Sequence, residues 1–438
     1  DDLSGFVRAF AGSHRYVMDY LMEEVLQRQT PEIQRFLLYT SILELLAAPL
    51  CDAVSPEPYP GHTGAQSILE YLEQSNLFVI PLDDDRSWYR YHRLFADLLQ
   101  RQLSQRYPEL MPALHRRASV WYEEHELLSE SIEHALAAGA FERSAALIER
   151  ISEPLLMRSE VSTLRRWLEA LPEATLAQWP ELCACHAWLL LIGGEPLRDV
   201  EARVAVMEQG DGISGRIQAV RALIALFQGQ IASALGSIEK ARATLTEEDG
   251  FWYSITQWFW GLLTMSEHEV RREDARPLER RLQPHLNSQN VFLAVMGLCN
   301  LGELRIKQGR LREADVLFER ALAQAVDARG EPLPIAGAPM IWLGELARER
   351  NDLVSAEHSL IWGIALISEG GRIAAFDDYL ALASVRYAQG DVPAAYEILD
   401  KAAQLAVTFD ATEMDDHMVA MRRARIAALE GDFRAVAH

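Results

Sequence analysis

Lysine is nearly absent from the sequence. Of 42 basic residues in the 438-residue chain only Lys240, Lys307 and Lys401 are lysines, and none of them follows a glycine. That excludes the G-x-x-x-x-G-K-[ST] loop, whose backbone amides and lysine cradle nucleotide phosphates. It also removes most candidates for a catalytic lysine. Cysteine is scarce too: Cys51, Cys183, Cys185 and Cys299 are too few and too scattered for a disulfide framework, a pattern that fits a reducing cytoplasm. Positive charge is in deficit, with 64 acidic residues against 42 basic ones and a formal net charge of -22. The field of such a chain repels phosphate, so direct nucleic-acid binding is not expected. No signal peptide stands at the start, and the longest apolar run, LCACHAWLLLI at 182–192, is too short to span a bilayer. G-x-S-x-G and H-E-x-x-H are missing, and no enzymatic role is expected. The expectation is a cytoplasmic protein with no membrane segment.

What is present points to helices. Hydrophobic residues make up 49% and charged residues 24%, Leu, Ala, Glu and Arg are abundant, and Gly and Pro number only 25 and 18. The length suits two to four domains or an elongated array. Self-comparison favours the array. LCNLGELRIKQGRLREADVLFERA from 298, MIWLGELARERNDLVSAEHSLIWG from 340 and YLALASVRYAQGDVPAAYEILDKA from 379 align without gaps. Each has Leu and a small residue (Leu301-Gly302, Leu343-Gly344, Leu382-Ala383), then a turn residue (Gly309, Asn351, Gly390), then an alanine (Ala314, Ala356, Ala395). A small residue lets the second helix cross closely, the Gly or Asn takes the left-handed conformation that ends the first helix, and the alanine sits at the crossing. Weaker copies place turns at 229, near 270 and at 431, a period near 40. The pattern resembles tetratricopeptide repeats with a longer unit, and predicts a superhelix of helix pairs with a concave face.

The first third reads differently. PEIQRFLLYTSILELL is followed by the Pro/Gly-rich loop SPEPYPGHTG and the amphipathic helix AQSILEYLEQS. LFVIPL (77–82), the turn DDDR and SWYRYH (87–92) read as a β-hairpin, and RLFADLLQRQLSQRY as a closing helix. That order predicts a winged-helix-like domain.

The strings GSHRYVMDYLMEEVL, FLLYTSILE, LEQSNLFVIPLDDDRSWYRYHRLFADLLQ and LHRRASVWYEEHELLSESIEHAL resemble the MalT-like, LuxR-family ATP-dependent transcriptional activators, which are signal-transduction ATPases with numerous domains (STAND). The resemblance covers roughly the first 150 residues, and the repeats match in kind. It implies a nucleotide-binding module, a winged-helix domain, a superhelical arm that binds an inducer and a LuxR-type DNA-binding domain. This sequence departs from that plan at both ends, having neither a P-loop nor a basic recognition helix. The expected layout is therefore the end of the ATPase module's helices at 1–30, a winged-helix-like domain at 31–108, a helical linker with degenerate repeats at 109–220, and sensor repeats at 221–438, cut before the natural end. ATP or ADP and self-association are expected of the full-length protein, and no cofactor of this portion. The expected partner is a small-molecule inducer or a regulatory protein, a plain protein-interaction scaffold being the alternative.

Several residues qualify as sites. By the resemblance, His92 at the strand-to-helix corner YRYHRLF is a nucleotide-sensing candidate; the other reading is an imidazole that fixes the corner by bonding nearby backbone. Cys183, Cys185 and His186 hint at metal, but on a helix only Cys183 and His186 could share an ion, and zinc needs at least three ligands, so no metal site is expected. The acidic turn at 83–85 lacks a complete calcium loop. His115, His125, His134 and His186 are read as single histidines on unrelated helix faces. FWYSITQWFW at 251–260 holds six aromatic rings, against 8% in the whole chain. At 100° per residue Phe251 aligns with Trp258, Trp252 with Phe259 and Tyr253 with Trp260. Two stripes can be buried between helices, and the third borders a groove, which makes Tyr253, Gln257 and Trp260, with Trp252, the ligand-binding candidates. The alternative, all six rings in the core, stays open at this stage.

Overall fold

The computed structural model describes residues 26–57, 64–193, 195–208, 214–263, 280, 286, 290–327, 329–370, 375–408 and 413–430. Among the described residues there are 21 α-helices and one two-stranded sheet, the mostly α class expected. The chain divides into two compact units, residues 1–147 and 148–438.

In the first unit, helix α1 (Pro31–Thr40) starts where the Thr30 hydroxyl accepts the Ile33 N–H at 3.4 Å and Pro31 fills the first turn, where no N–H is needed. The stretch PEIQRFLLYTSILELL is not one helix. It breaks after Thr40, whose hydroxyl bonds the Phe36 carbonyl and meets the Tyr91 hydroxyl, both at 2.7 Å. The chain then extends so that Leu46 exchanges two 2.8 Å backbone hydrogen bonds with Tyr89, a third edge on the hairpin. A short helix missed from sequence, α2 (Ala48–Val54), follows, and then α3 (Ala65–Gln74). Strands β1 (Val79–Pro81) and β2 (Tyr89–Tyr91) pair antiparallel with Val79 opposite Tyr91 and Pro81 opposite Tyr89. The hairpin tip is closed by Asp83, whose carboxylate accepts the Ser87 N–H at 2.8 Å. Helix α4 (Arg93–Arg106) closes the winged helix over a core in which Phe36, Leu50, Ile68, Tyr89 and Phe95 are fully buried. Each such side chain contributes about 1.5–3 kcal/mol relative to exposure. The hairpin α5 (Met111–Glu124) and α6 (Leu128–Ala137) packs next, with α5 against α2.

Helix α7 (Phe141–Met157) leads into the second unit, followed by α8 (Val161–Ala170), the short α9 (Glu173–Leu176), α10 (Pro180–Gly193) and α11 (Leu197–Met207). Because α10 is apolar on every face, it is buried all round, from Leu182 through Leu189. The regular repeats are hairpins: α12 (Ser214–Phe227) with α13 (Ile231–Thr244), α15 (Val291–Lys307) with α16 (Leu311–Gln324), α17 (Gly337–Glu349) with α18 (Leu353–Gly370), and α19 (Ala375–Ala388) with α20 (Val392–Thr408). Their turn residues Gly229, Gly309, Asn351 and Gly390 all lie in the left-handed region, with φ of 70°, 73°, 61° and 86°. Ala234, Ala314, Ala356 and Ala395 are fully buried at the crossings. At Gly344 a Cβ would sit 2.9 Å from Leu360 Cγ and 3.1 Å from the Ala356 carbonyl, and at Gly302 it would run into the Phe318 ring. The turns expected near 270 and at 431 lie outside the described residues. Helix α14 (Gly250–Leu263) carries the aromatic stretch, and α21 (Glu413–Leu429) follows α20. Besides its sequence neighbours, α18 also touches α8 and α10.

Candidate functional site

Helix α14 is fixed at its start by acid. Glu153 of α7 accepts the Phe251 N–H at 2.7 Å, and Thr246 and Asp249 form a reciprocal cap just before it. Carboxylates here face the positive end of the helix dipole. One side of the helix is core: Phe251 and Trp252 are each 1% exposed, and Ile255, Thr256 and Trp258 are buried with them. Trp188 of α10 meets Phe251, Trp252 and Phe292 of α15 edge-on, with ring centroids 5.2, 6.1 and 6.1 Å apart. Trp258 meets the same Phe292 at 6.0 Å. Edge-to-face contacts of this kind add about 0.5–1.5 kcal/mol each to simple burial.

The other side is partly open. Tyr253, Gln257 and Trp260 fall on one half-buried stripe, at i, i+4 and i+7, with Phe259 beside it. Arg242 of α13 lies over the Trp260 ring, its guanidinium carbon 3.9 Å from the centroid, and its Nε donates to Gln257 Oε1 at 3.0 Å. Three of the four expected groove residues are thus brought together. Trp252 is turned into the core against Trp188 and Phe251, at the start of the helix where α14 meets α10. Arg242 was missed from sequence. Only the hairpin register brings it to α14, and the chain carries 39 arginines with nothing local to single one out.

The remaining candidates are dispersed. His92 is exposed at the N-terminus of α4; its backbone N–H donates to the Phe78 carbonyl at 2.7 Å and its carbonyl accepts from Phe95 and Ala96. The corner is therefore held by backbone, and the imidazole meets the Phe78 ring edge-on at 6.3 Å. Cys183, Cys185 and His186 are all buried in α10. Burial pushes the Cys185 thiol up to about 12 and raises that of Cys183. His186 is held down at about 4, first by burial and then by the Arg203 guanidinium, which forks onto Glu173 at 2.6 and 2.9 Å. Its Nδ1 is buried without a partner among the described residues. His115 and His134 do not lie on unrelated faces: α5 and α6 bring their Nδ1 atoms to 2.8 Å, with His134 stacked on Tyr122. One of the two must be neutral and accept, and burial together with its partner holds His134 down at about 4.

The described residues thus form a winged helix followed by helix-pair repeats, with a half-buried aromatic stripe on α14 that Arg242 covers in part. Residues 22–111 match the MalT winged helix domain and residues 215–438 match the MalT-like TPR region; the chain belongs to this MalT-like family. Among curated proteins it is similar to the serine/threonine-protein kinase PknK of Mycobacterium tuberculosis and of Mycobacterium bovis, 27% identical over 458 aligned positions that cover 99% of this chain and 40% of each relative. The chain spans about two fifths of the length of those relatives. Among solved structures it is similar to a STAND protein with a tetratricopeptide repeat sensor from Pyrococcus horikoshii, with a TM-score of 0.45, 13% identity, and coverage of 95% of this chain and 63% of that one.

Proposed function

We propose that this chain is the regulatory portion of a larger bacterial signalling protein, in which the repeats bind a small-molecule inducer and the winged helix relays the event to an ATP-dependent switch. The observation that carries the reading is the half-buried stripe Tyr253–Gln257–Trp260, aromatic and polar at once, clamped by Arg242 on a helix whose opposite side is already packed. Rings with a polar neighbour suit a compact organic ligand, and a ligand shifts such a switch only by binding one arrangement more tightly than the other. The portion itself performs no catalysis under this reading; ATP hydrolysis and output belong to other domains. The MalT-like resemblance makes that output DNA binding and transcriptional activation, whereas the relatives named as kinases pair a similar arm with phosphorylation. A thermal-shift screen against sugars, nucleotides, aromatic metabolites and peptides tests it. A saturable shift that disappears in Trp260→Ala supports the sensor reading. No shift from any small molecule, with Trp260→Ala simply melting earlier, sinks it.

A protein-binding scaffold is the second reading, and α18 favours it. Val354, Ile361 and Trp362 on its outer face are 78%, 43% and 51% exposed. The aligned positions in the flanking repeats carry Arg312, Glu319 and Arg320 on α16 and Pro393, Asp400 and Lys401 on α20. The repeat fold itself does not require apolar residues there, so this stripe suits a macromolecular partner. Loss of a regulatory-protein complex in Trp362→Glu, with small molecules silent, would decide for the scaffold.

A further inference from the structure

Arg242 differs from most half-buried arginines of the second unit. Four of those meet carboxylates: Arg203 faces Glu173, Arg216 faces Glu181 and Asp249, Arg305 faces Glu313, and Arg386 faces Glu357. Arg242 has no ion pair among the described residues, although Glu239 stands one turn earlier on the same helix. Its guanidinium is instead held in place by neutral groups, the Trp260 face at 3.9 Å and Gln257 Oε1 at 3.0 Å on Nε. Both terminal amino groups are left without a protein acceptor among the described residues. An arginine fixed at Nε and stacked on an indole keeps its planar fork pre-organised, which is the geometry that receives a carboxylate or phosphate through two parallel N–H···O bonds. In a chain with 22 more acidic than basic residues, an oriented cation with no carboxylate partner among the described residues is a fitting place for an anion.

We infer that the inducer site takes an organic anion, a carboxylate or phosphate monoester on a flat ring, with the anionic group on the Arg242 fork and the ring against the aromatic stripe that includes Tyr253. This rests on the sensor reading above and narrows it to a ligand class. Gln257 is the selecting residue: as a neutral acceptor it orients Arg242 without cancelling its charge, which a glutamate at the same place would do.

The test is isothermal titration of the protein with benzoate, phenyl phosphate, inorganic phosphate and the neutral isostere benzamide, repeated on Arg242→Gln and Gln257→Glu. Benzoate or phenyl phosphate binding that weakens at least about tenfold in both variants, with benzamide weak throughout, is the expected result, and the better of the two anions identifies the head group. Gln257→Glu keeps the shape and the stacking, so its loss of binding cannot be assigned to unfolding, and its melting temperature is measured alongside. Inorganic phosphate binding as tightly as phenyl phosphate would overturn the ring requirement. Undiminished anion binding in Arg242→Gln, or no anion binding to the parent protein, would overturn the inference. A neutral compound whose thermal shift is lost in Trp260→Ala, with all anions silent, would overturn this inference and leave the sensor reading standing.

Discussion

Acid should loosen the repeat unit at His186. This imidazole is 8% exposed in the middle of α10, with Nδ1 unpartnered among the described residues, and its folded-state value is about 4 against an ordinary 6.5. The neutral form is thus the one that folds. Above the ordinary value both states are neutral and nothing depends on pH; as pH falls below it the unfolded chain takes a proton that the folded chain refuses, and stability is lost until pH reaches the folded value. At about pH 5 the deficit is 1.5 units at about 1.36 kcal/mol each, or about 2 kcal/mol. Replacing His186 by Gln removes this ionisation without charging the site. Urea unfolding of the parent and His186→Gln proteins from about pH 7.5 down to pH 5 reads the difference, since the carboxylates titrate alike in both. The variant should gain on the parent by about 2 kcal/mol over that interval. Curves that stay parallel to within about 0.5 kcal/mol would refute the reasoning and mean that the folded protein admits the proton.

Other outcomes follow from the packing. Trp188→Ala removes the ring that joins α10 to α14 and α15 and should cost about 3–5 kcal/mol in chemical denaturation, whereas Trp260→Ala, on the half-open stripe, should cost less than half of that. Equal losses would show the stripe to be core. Gly302→Ala drives a methyl into Phe318 and should lower stability by about 1–3 kcal/mol, while Gly236→Ala, within α13 and with nothing within 4 Å of the added carbon, should raise it by up to about 1 kcal/mol. Melting temperatures read both. At the left-handed turn of α17–α18, Asn351→Gly should be neutral or slightly stabilising and Asn351→Val destabilising by about 1–2 kcal/mol, again by thermal melting.

The hairpins were legible because each turn is written locally: Gly309, Asn351 and Gly390 stand at a fixed offset from a small residue before and an alanine after; the turn residues hold the left-handed φ, and the alanines are buried at the crossings. The break of PEIQRFLLYTSILELL was not legible, since the groups that end α1 and pair with Leu46 are Tyr91 and Tyr89, about 45 residues away. Periodicity divided the aromatic helix into stripes, aligning Tyr253 with Trp260 and setting Gln257 next to them. It could not say which residues meet α10, so Trp252 was placed at the groove instead of against Trp188. The His115–His134 pair and the Arg242 clamp escaped for the same reason, both being contacts across a hairpin between side chains with no local signature.

The contact of α18 with α8 and α10 changes how this stack responds to strain. In an open stack each hairpin touches only its neighbours, and a small change of pitch in one is absorbed at the free ends. Here the path from α10 through the repeats to α18 comes back on itself, so the rotations from one hairpin to the next must add up to a fixed total. Any change that tilts α13 against α14 by a few degrees is not absorbed at a free end of the stack. It appears as a closure error, and the place where the error must be resolved is the seam between α18 and α10, far along the chain from α13 and one helix before the left-handed turn at Gly390.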